Sequence, residues 1–237
     1  IAGGVLRDDD GGRKTNARAG QVPVLEARGL GVGTKLHDVS FEVRPGEIVG
    51  VAGLAGSGRS TLLKALFGAI PRRRGEVRVD GRRVNPTSPA EAVREGLYLI
   101  PEDRKTEGLV LSHSVEANLV LSILSRLRTG PLFRARRSRR LALDTISQLR
   151  IEPQDPGLPV QWLSGGNQQK VVLGKAFSAG GRVLLLDEPT FGVDVRSAAE
   201  IRRRIQAFVD AGNAAVWVTS DLRELTMVAD RILILAD

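Results

Sequence analysis

Six apolar runs, each about the length of one strand, constrain this chain more than any other feature. They are "VSFEV" (39–43), "EIVGVAG" (47–53), "LYLIP" (97–101), "VLLLDEP" (183–189), "AAVWVTS" (214–220) and "RILILAD" (231–237). Most are nearly continuous in Val, Ile and Leu, the pattern of strands buried on both faces. Helical patterns fall between several of them. One covers Arg59 to Gly68, and another covers Val195 to Ala211, with Ile201, Ile205 and Phe208 at helical spacing. Strands alternating with helices predict an α/β fold with a largely parallel sheet and crossover helices. From about Ser114 to Ala179 the helical patterns "VEANLVLSILSRL", "SRRLALDTISQLR" and "GNQQKVVLGKAF" follow one another without a convincing strand. A helical subdomain inserted between strands is predicted there. Residues 1–20, rich in Gly, Asp and Arg, read as a linker, leaving 21–237 as one domain. The start at Ile1 and the stop at Asp237, just after a strand-like run, read as the ends of a piece of a longer protein.

Composition narrows the chemistry. The chain has 237 residues, 42% of them hydrophobic, enough for a sizeable core. It has no cysteine, which removes disulfides, thiolate zinc sites and cysteine nucleophiles. No apolar run approaches the length that spans a bilayer. The net charge is +8, and the excess sits in two arginine clusters, "PRRRGEVRVDGRR" (71–83) and "RLRTGPLFRARRSRR" (126–140). Each reads as a solvated face. Neither interleaves aromatics with its basic residues as single-strand nucleic-acid binders do.

Three motifs carry chemistry. "EIVGVAGLAGSGRSTLLKALFG" is a strand, a glycine-rich turn and a helix start, with Gly53, Gly58 and Ser60 in the register of the phosphate-binding pattern G-x-x-x-x-G-K-[S/T]. Its glycines, with Ser57, let backbone N–H groups converge on an anion in front of the helix. Gly53, Gly56, Ser57, Gly58, Arg59, Ser60 and Thr61 are the candidate phosphate ligands. "VLLLDEPT" ends a strand in two carboxylates. Asp187 is placed to join Ser60 around Mg²⁺, and Glu188 to polarise an attacking water. "LSGGNQQK" puts Ser164, Gly165, Gly166 and Asn167 at a helix N-terminus, where they offer a hydroxyl and free amides to an anion.

Together with "GVD" (192–194), these motifs resemble an ABC-type ATPase domain in order and spacing, over roughly residues 22–237. "VSFEVRPGEIVGVAGLAGSGRST", "PEDRKTEGLVL" and "LSGGNQQKVVLGKA" are similar to the second, C-terminal ATPase half of tandem sugar importers of the ribose/galactose/xylose type. The resemblance implies a P-loop core with a largely parallel sheet, an N-terminal antiparallel β part and a helical insertion. It implies ATP and Mg²⁺ as ligands and a peripheral place on the cytoplasmic face of the membrane. It implies two kinds of partner: a second ABC ATPase domain, N-terminal in the same full-length chain, and transmembrane permease subunits. The segment "DRKTEGLVLSHSVEANL" (103–119) corresponds to the place where such a domain receives a coupling helix of the permease. In such pairs Gly53 to Thr61 would hold one ATP, Ser164 to Asn167 would close over the partner's ATP, and Asp194 would communicate across the pair.

Four departures gather around the chain's own ATP. Arg59 replaces the phosphate lysine, Glu102 stands where the family has glutamine, and Ser220 stands where a histidine reaches the γ-phosphate. No aromatic precedes Phe41 to stack on adenine, and the two histidines, His37 and His113, lie elsewhere. An asymmetric pair is therefore expected, in which this chain's own site is degenerate and its LSGG segment completes the partner's. The alternatives are a soluble ABC ATPase acting on nucleic acid or ribosomes, and a non-catalytic regulatory nucleotide-binding module.

Overall fold

The computed structural model describes residues 5–6, 20–129 and 132–235. The strands are β1 (Val5–Leu6), β2 (Leu25–Val32), β3 (Leu36–Val43), β4 (Ile48–Gly53), β5 (Arg74–Val79), β6 (Arg82–Val84), β7 (Leu97–Ile100), β8 (Arg128–Thr129), β9 (Leu132–Phe133), β10 (Val183–Asp187), β11 (Ala214–Val218) and β12 (Arg231–Leu235). The helices are α1 (Arg59–Leu66), α2 (Pro89–Arg94), α3 (Val115–Val120), α4 (Ala135–Leu149), α5 (Gly165–Ser178), α6 (Val195–Asp210) and α7 (Leu222–Val228). A π-helical turn covers Arg104–Gly108, and 3-10 turns cover Leu121–Leu127 and Val160–Trp162. The chain divides into two compact units, one of residues 1–99, 182–188 and 205–237, the other of 100–181 and 189–204. Of the stretch read as a linker, residues 5–6 form an edge strand and Gly20 lies in a turn, while the rest lies outside the described residues.

In the first unit a six-stranded sheet runs in the order β1-β12-β4-β11-β10-β7. β12, β4, β11 and β10 are parallel neighbours, and β1 closes one edge antiparallel. Val183–Asp187 of β10 and Ala214–Val218 of β11 are buried throughout, which explains their unbroken apolar sequences. A second, antiparallel sheet has the order β3-β2-β5-β6. "VSFEV" belongs to this sheet and not to the parallel one. Its strand is at the edge, and its burial alternates toward one face, which gives a polar residue at every exposed position. Leu62, Leu63, Ala65 and Leu66 of α1 share one apolar core with Val49, Val51, Leu185 and Val216 of the first sheet and Leu25, Leu30 and Val77 of the second. Each buried Leu or Val among them contributes roughly 1.5–3 kcal/mol on burial.

The sheet register places the site. Val218 pairs with both Val51 and Asp187, so the carboxyl ends of β4, β11 and β10 finish side by side. The loop after β4, Thr219 and Ser220 after β11, and Glu188 after β10 therefore emerge at one edge, where ligands of parallel sheets bind.

In the second unit α3, α4 and α5 meet at Gly174. A Cβ there would lie 2.6 Å from a Leu119 methyl, 2.9 Å from that of Thr145 and 3.1 Å from that of Leu149. The mid-helix glycine lets the three helices approach closely despite its poor helix propensity. The region read as strand-free holds the two-residue ribbon β8–β9, too short to leave a periodic signal. Arg126, at the head of the second arginine cluster, is not simply solvated. Its Nη1 donates to the Ala179 carbonyl at the end of α5, 2.8 Å away, where a cation complements the helix dipole.

Candidate functional site

The loop between β4 and α1 is shaped by its glycines. Gly56 and Gly58 take φ of +89° and +91°, left-handed values that disfavour a side chain. A Cβ at Gly53 would lie 2.4 Å from Ser57 Oγ and 2.9 Å from the Leu235 carbonyl oxygen. Gly58 is the N-cap of α1 and supplies no side-chain cap, so the first amides of the helix are not capped by a side chain. The Leu36 side chain lies against Gly58, so the neighbour of the loop is aliphatic. The Ser57 hydroxyl is buried inside the loop with no hydrogen-bond partner. Uncapped amides, left-handed glycines and an orphaned hydroxyl fit an anion seated in the loop.

Ser60 Oγ donates to Asp187 Oδ1 at 3.1 Å, and Asp187 is 2% exposed at the end of β10. Two hard oxygen donors side by side suit Mg²⁺. Among the described residues no cluster of three or more His, Cys, Asp or Glu is placed to hold a metal. A cation on Ser60 and Asp187 would complete its shell with phosphate and water oxygens.

Arg59 does not turn into the loop. Its Nη1 donates to the Thr219 carbonyl at 2.7 Å. Glu188 has a left-handed φ of +48°, a strained conformation for a side-chain-bearing residue. Its carboxylate accepts hydrogen bonds from the Ser220 amide at 2.6 Å and the Thr219 hydroxyl at 3.1 Å. Thr219 is 1% exposed and links both neighbours, its carbonyl taking Arg59 and its hydroxyl serving Glu188. Nothing in "VTSD" distinguishes this threonine from an ordinary strand end, so only the fold reveals it.

The remaining predicted residues lie in the second unit. Ser164 caps α5, and its Oγ accepts from the Asn167 amide at 3.4 Å and from Asn167 Nδ2 at 3.1 Å. Asn167 Oδ1 accepts from the Glu152 amide at 3.0 Å, which ties the motif to the chain after α4. A Cβ on Gly166 would lie 2.3 Å from Ser197 Oγ, and one on Gly165 would lie 2.7 Å from Arg104 Nη2. Ser197 is itself held by Asp194, whose carboxylate accepts its amide at 2.9 Å and its hydroxyl at 2.7 Å. These hydrogen bonds hold the Asp194 carboxyl below its ordinary range. Arg104 donates to the carbonyls of Phe191 and Gly192, at 3.2 and 3.4 Å, joining "PEDRK" to the "GVD" segment. Glu102 is exposed and makes no side-chain hydrogen bond among the described residues.

Two buried lysines of α5 support this motif. Lys170 pairs with Glu200 at 2.7 Å and donates to the Arg150 carbonyl at 2.8 Å. Burial works to raise the Glu200 pKa, but the hydrogen bond and charge of Lys170, with Arg204, hold it below the ordinary value. Lys170→Met is expected to lower unfolding free energy by about 3–5 kcal/mol, and Lys170→Met with Glu200→Leu to recover most of it, because the unpaired charge is what destabilises. Since the Glu200 pKa is depressed by folding, its contribution is present above the ordinary value of 4.5 and fades as pH falls below it. Denaturant titrations at pH 7 and pH 4 measure both. Lys175 donates to the Gly108 carbonyl at 2.5 Å, and burial lowers its pKa to about 8. Between about 8 and 10.5 the unfolded chain binds the extra proton, so stability is expected to rise with pH there. Lys175→Met should flatten that rise in unfolding midpoints taken across the interval.

The sequence family described as ABC transporter matches residues 36–191. The chain belongs to the ABC transporter family. It is 43% identical over 224 residues, 94% of its length, to the putative ribose/galactose/methyl galactoside import ATP-binding protein 3 of Agrobacterium fabrum. It is 46% identical over 213 residues to the ribose import ATP-binding protein RbsA 1 of Streptomyces avermitilis, 90% of its length. The chain spans less than half of these relatives, 45% and 41% of their lengths. A solved ATP-binding subunit of an ABC transporter superposes with a TM-score of 0.70 at 27% identity, covering 90% of this chain and 85% of that one. No helix among the described residues is long and apolar enough to cross a membrane.

Proposed function

We propose that this chain is the second nucleotide-binding half of a tandem ABC ATPase that powers import of a sugar or related small solute. The relatives it matches are named as ribose and galactose import ATP-binding proteins. In this reading Gly53, Gly56, Ser57, Gly58, Ser60 and Thr61 surround the phosphates of the chain's own nucleotide. Mg²⁺ on Ser60 and Asp187 would neutralise charge on the phosphate oxygens. Glu188 is the water-activating carboxylate of this site. Ser164, Gly165, Gly166 and Asn167 close over ATP held by the N-terminal half, and Asp194 reports across the pair. Permease subunits dock through residues 103–119 at the cytoplasmic face of the membrane, and closure of the two halves switches them between inward and outward states.

The observation that carries the asymmetry is the position of Arg59. Its guanidinium is bound to the Thr219 carbonyl, so the charge that a lysine would place inside the loop lies at its side. Glu188 has both carboxylate oxygens engaged by Thr219 and Ser220 in the same cluster, which slows its action on a water. Glu102 adds a carboxylate where a neutral amide would serve, and Ser220 is too short to replace a histidine. Own-site hydrolysis is slow on this account.

Reconstitution of the full-length protein with its membrane subunits in vesicles tests the transport reading. ATP-dependent uptake of labelled ribose or galactose is expected. Turnover that ignores the solute and its binding protein, and instead rises with RNA or DNA, would favour the nucleic-acid alternative.

A further inference from the structure

The first arginine cluster is not a plain solvated face. Residues 72–76 and 83–85 line a pocket open to solvent, of about 470 Å³, within the range of small-ligand sites. Arg72, Arg73, Arg74 and Arg83 line it, with Glu76 as the one acid and Asn85 as a neutral acceptor. Glu76 is already engaged, by Arg78 at 2.5 Å and Arg83 at 3.6 Å. Neither Arg73 nor Arg74 has a side-chain hydrogen bond or ion pair among the described residues. Arg72 is fixed in the wall, where its Nη2 donates to Asn85 Oδ1 at 2.5 Å. Its Nη1 is buried with no partner, and burial lowers its pKa. Arg72 is half-buried, and an anion in the pocket beside it would offset the cost of that partial desolvation.

We propose that this cavity, walled by Arg72, Arg73, Arg74 and Arg83 with an unpartnered buried Arg72 nitrogen, binds a multiply phosphorylated anion. Four arginines facing one engaged carboxylate leave positive charge uncompensated, and the planar fork of arginine matches phosphate oxygens in pairs. The site is built on the β5–β6 hairpin and the segment before it, apart from the loop at Gly53–Thr61 in sequence and in strand order. The phosphate could come from a soluble oligophosphate or a lipid headgroup, and the test separates these sources.

The full-length protein is titrated with inorganic tripolyphosphate by calorimetry, with its nucleotide sites first filled by a non-hydrolysable ATP analogue and Mg²⁺. Uptake of one tripolyphosphate per chain is expected. Arg73→Gln with Arg83→Gln should weaken it at least about tenfold, since each lost charge-assisted bond is worth about that much. Both side chains are exposed, so an unchanged thermal midpoint verifies that the variant folds. A parallel flotation assay uses phosphatidylcholine vesicles with and without a phosphatidylinositol bisphosphate. Arginine-dependent retention on the anionic vesicles without tripolyphosphate uptake assigns the phosphate to a lipid. Equal uptake by the wild type and the variant, or no binding in either assay, overturns the proposal.

Discussion

Gly166→Ala in the full-length protein is expected to cut ATP turnover by about 10²-fold, because a displacement near 1 Å at a closing site has that effect. Gly166 is the second residue of α5, and a Cβ there would fall 2.3 Å from the hydroxyl and 2.6 Å from the Cβ of Ser197. Ser197 has little room to yield. Asp194 holds both its amide and its hydroxyl. The start of α5 or the "GVD" segment must therefore shift, and Ser164, Gly165 and Asn167 shift with the former. The overpacking costs roughly 1–3 kcal/mol of stability as well. Adding Ser197→Gly removes both obstructing atoms and is expected to restore most of the turnover. Ser197→Ala leaves the Cβ contact and should restore much less. Steady-state hydrolysis and denaturant midpoints on the three variants check this. Turnover in Gly166→Ala equal to that of the wild type would mean that the LSGG segment plays no part in the reaction.

Much of this site was legible because its residues are adjacent in sequence. The loop at Gly53, the carboxylates after β10 and the serine cap of α5 each combine a local conformational demand with a chemical one. The strands that carry them announce themselves as unbroken apolar runs because both faces are buried. The antiparallel sheet was harder to read. Val77, Val79 and Val84 are buried, but arginines and an aspartate stand between them, and a charged cluster hides a two-residue period. The same arginines form the cavity wall, which charge counting alone reads as solvent. Thr219 and Arg104 were invisible for another reason. Each acts through a backbone carbonyl or amide brought near by the fold, and such contacts leave no residue pattern. The turn of Arg59 toward Thr219 is of this kind, so the substitution was visible in sequence and its geometry was not.

The central claim is that this chain lends its LSGG segment to the partner's ATP while its own loop does little chemistry. Steady-state ATP turnover of the full tandem protein after Ser164→Arg and, separately, after Glu188→Gln tests it most directly. Ser164→Arg fills the cap of α5 with a bulky cation and is expected to reduce turnover by about 10²-fold or more, comparable to losing a positioned anion donor. Glu188→Gln keeps the size and one of the two accepted hydrogen bonds but removes the carboxylate, and is expected to leave most of the turnover in place. The opposite result, abolished turnover in Glu188→Gln and intact turnover in Ser164→Arg, would contradict the account.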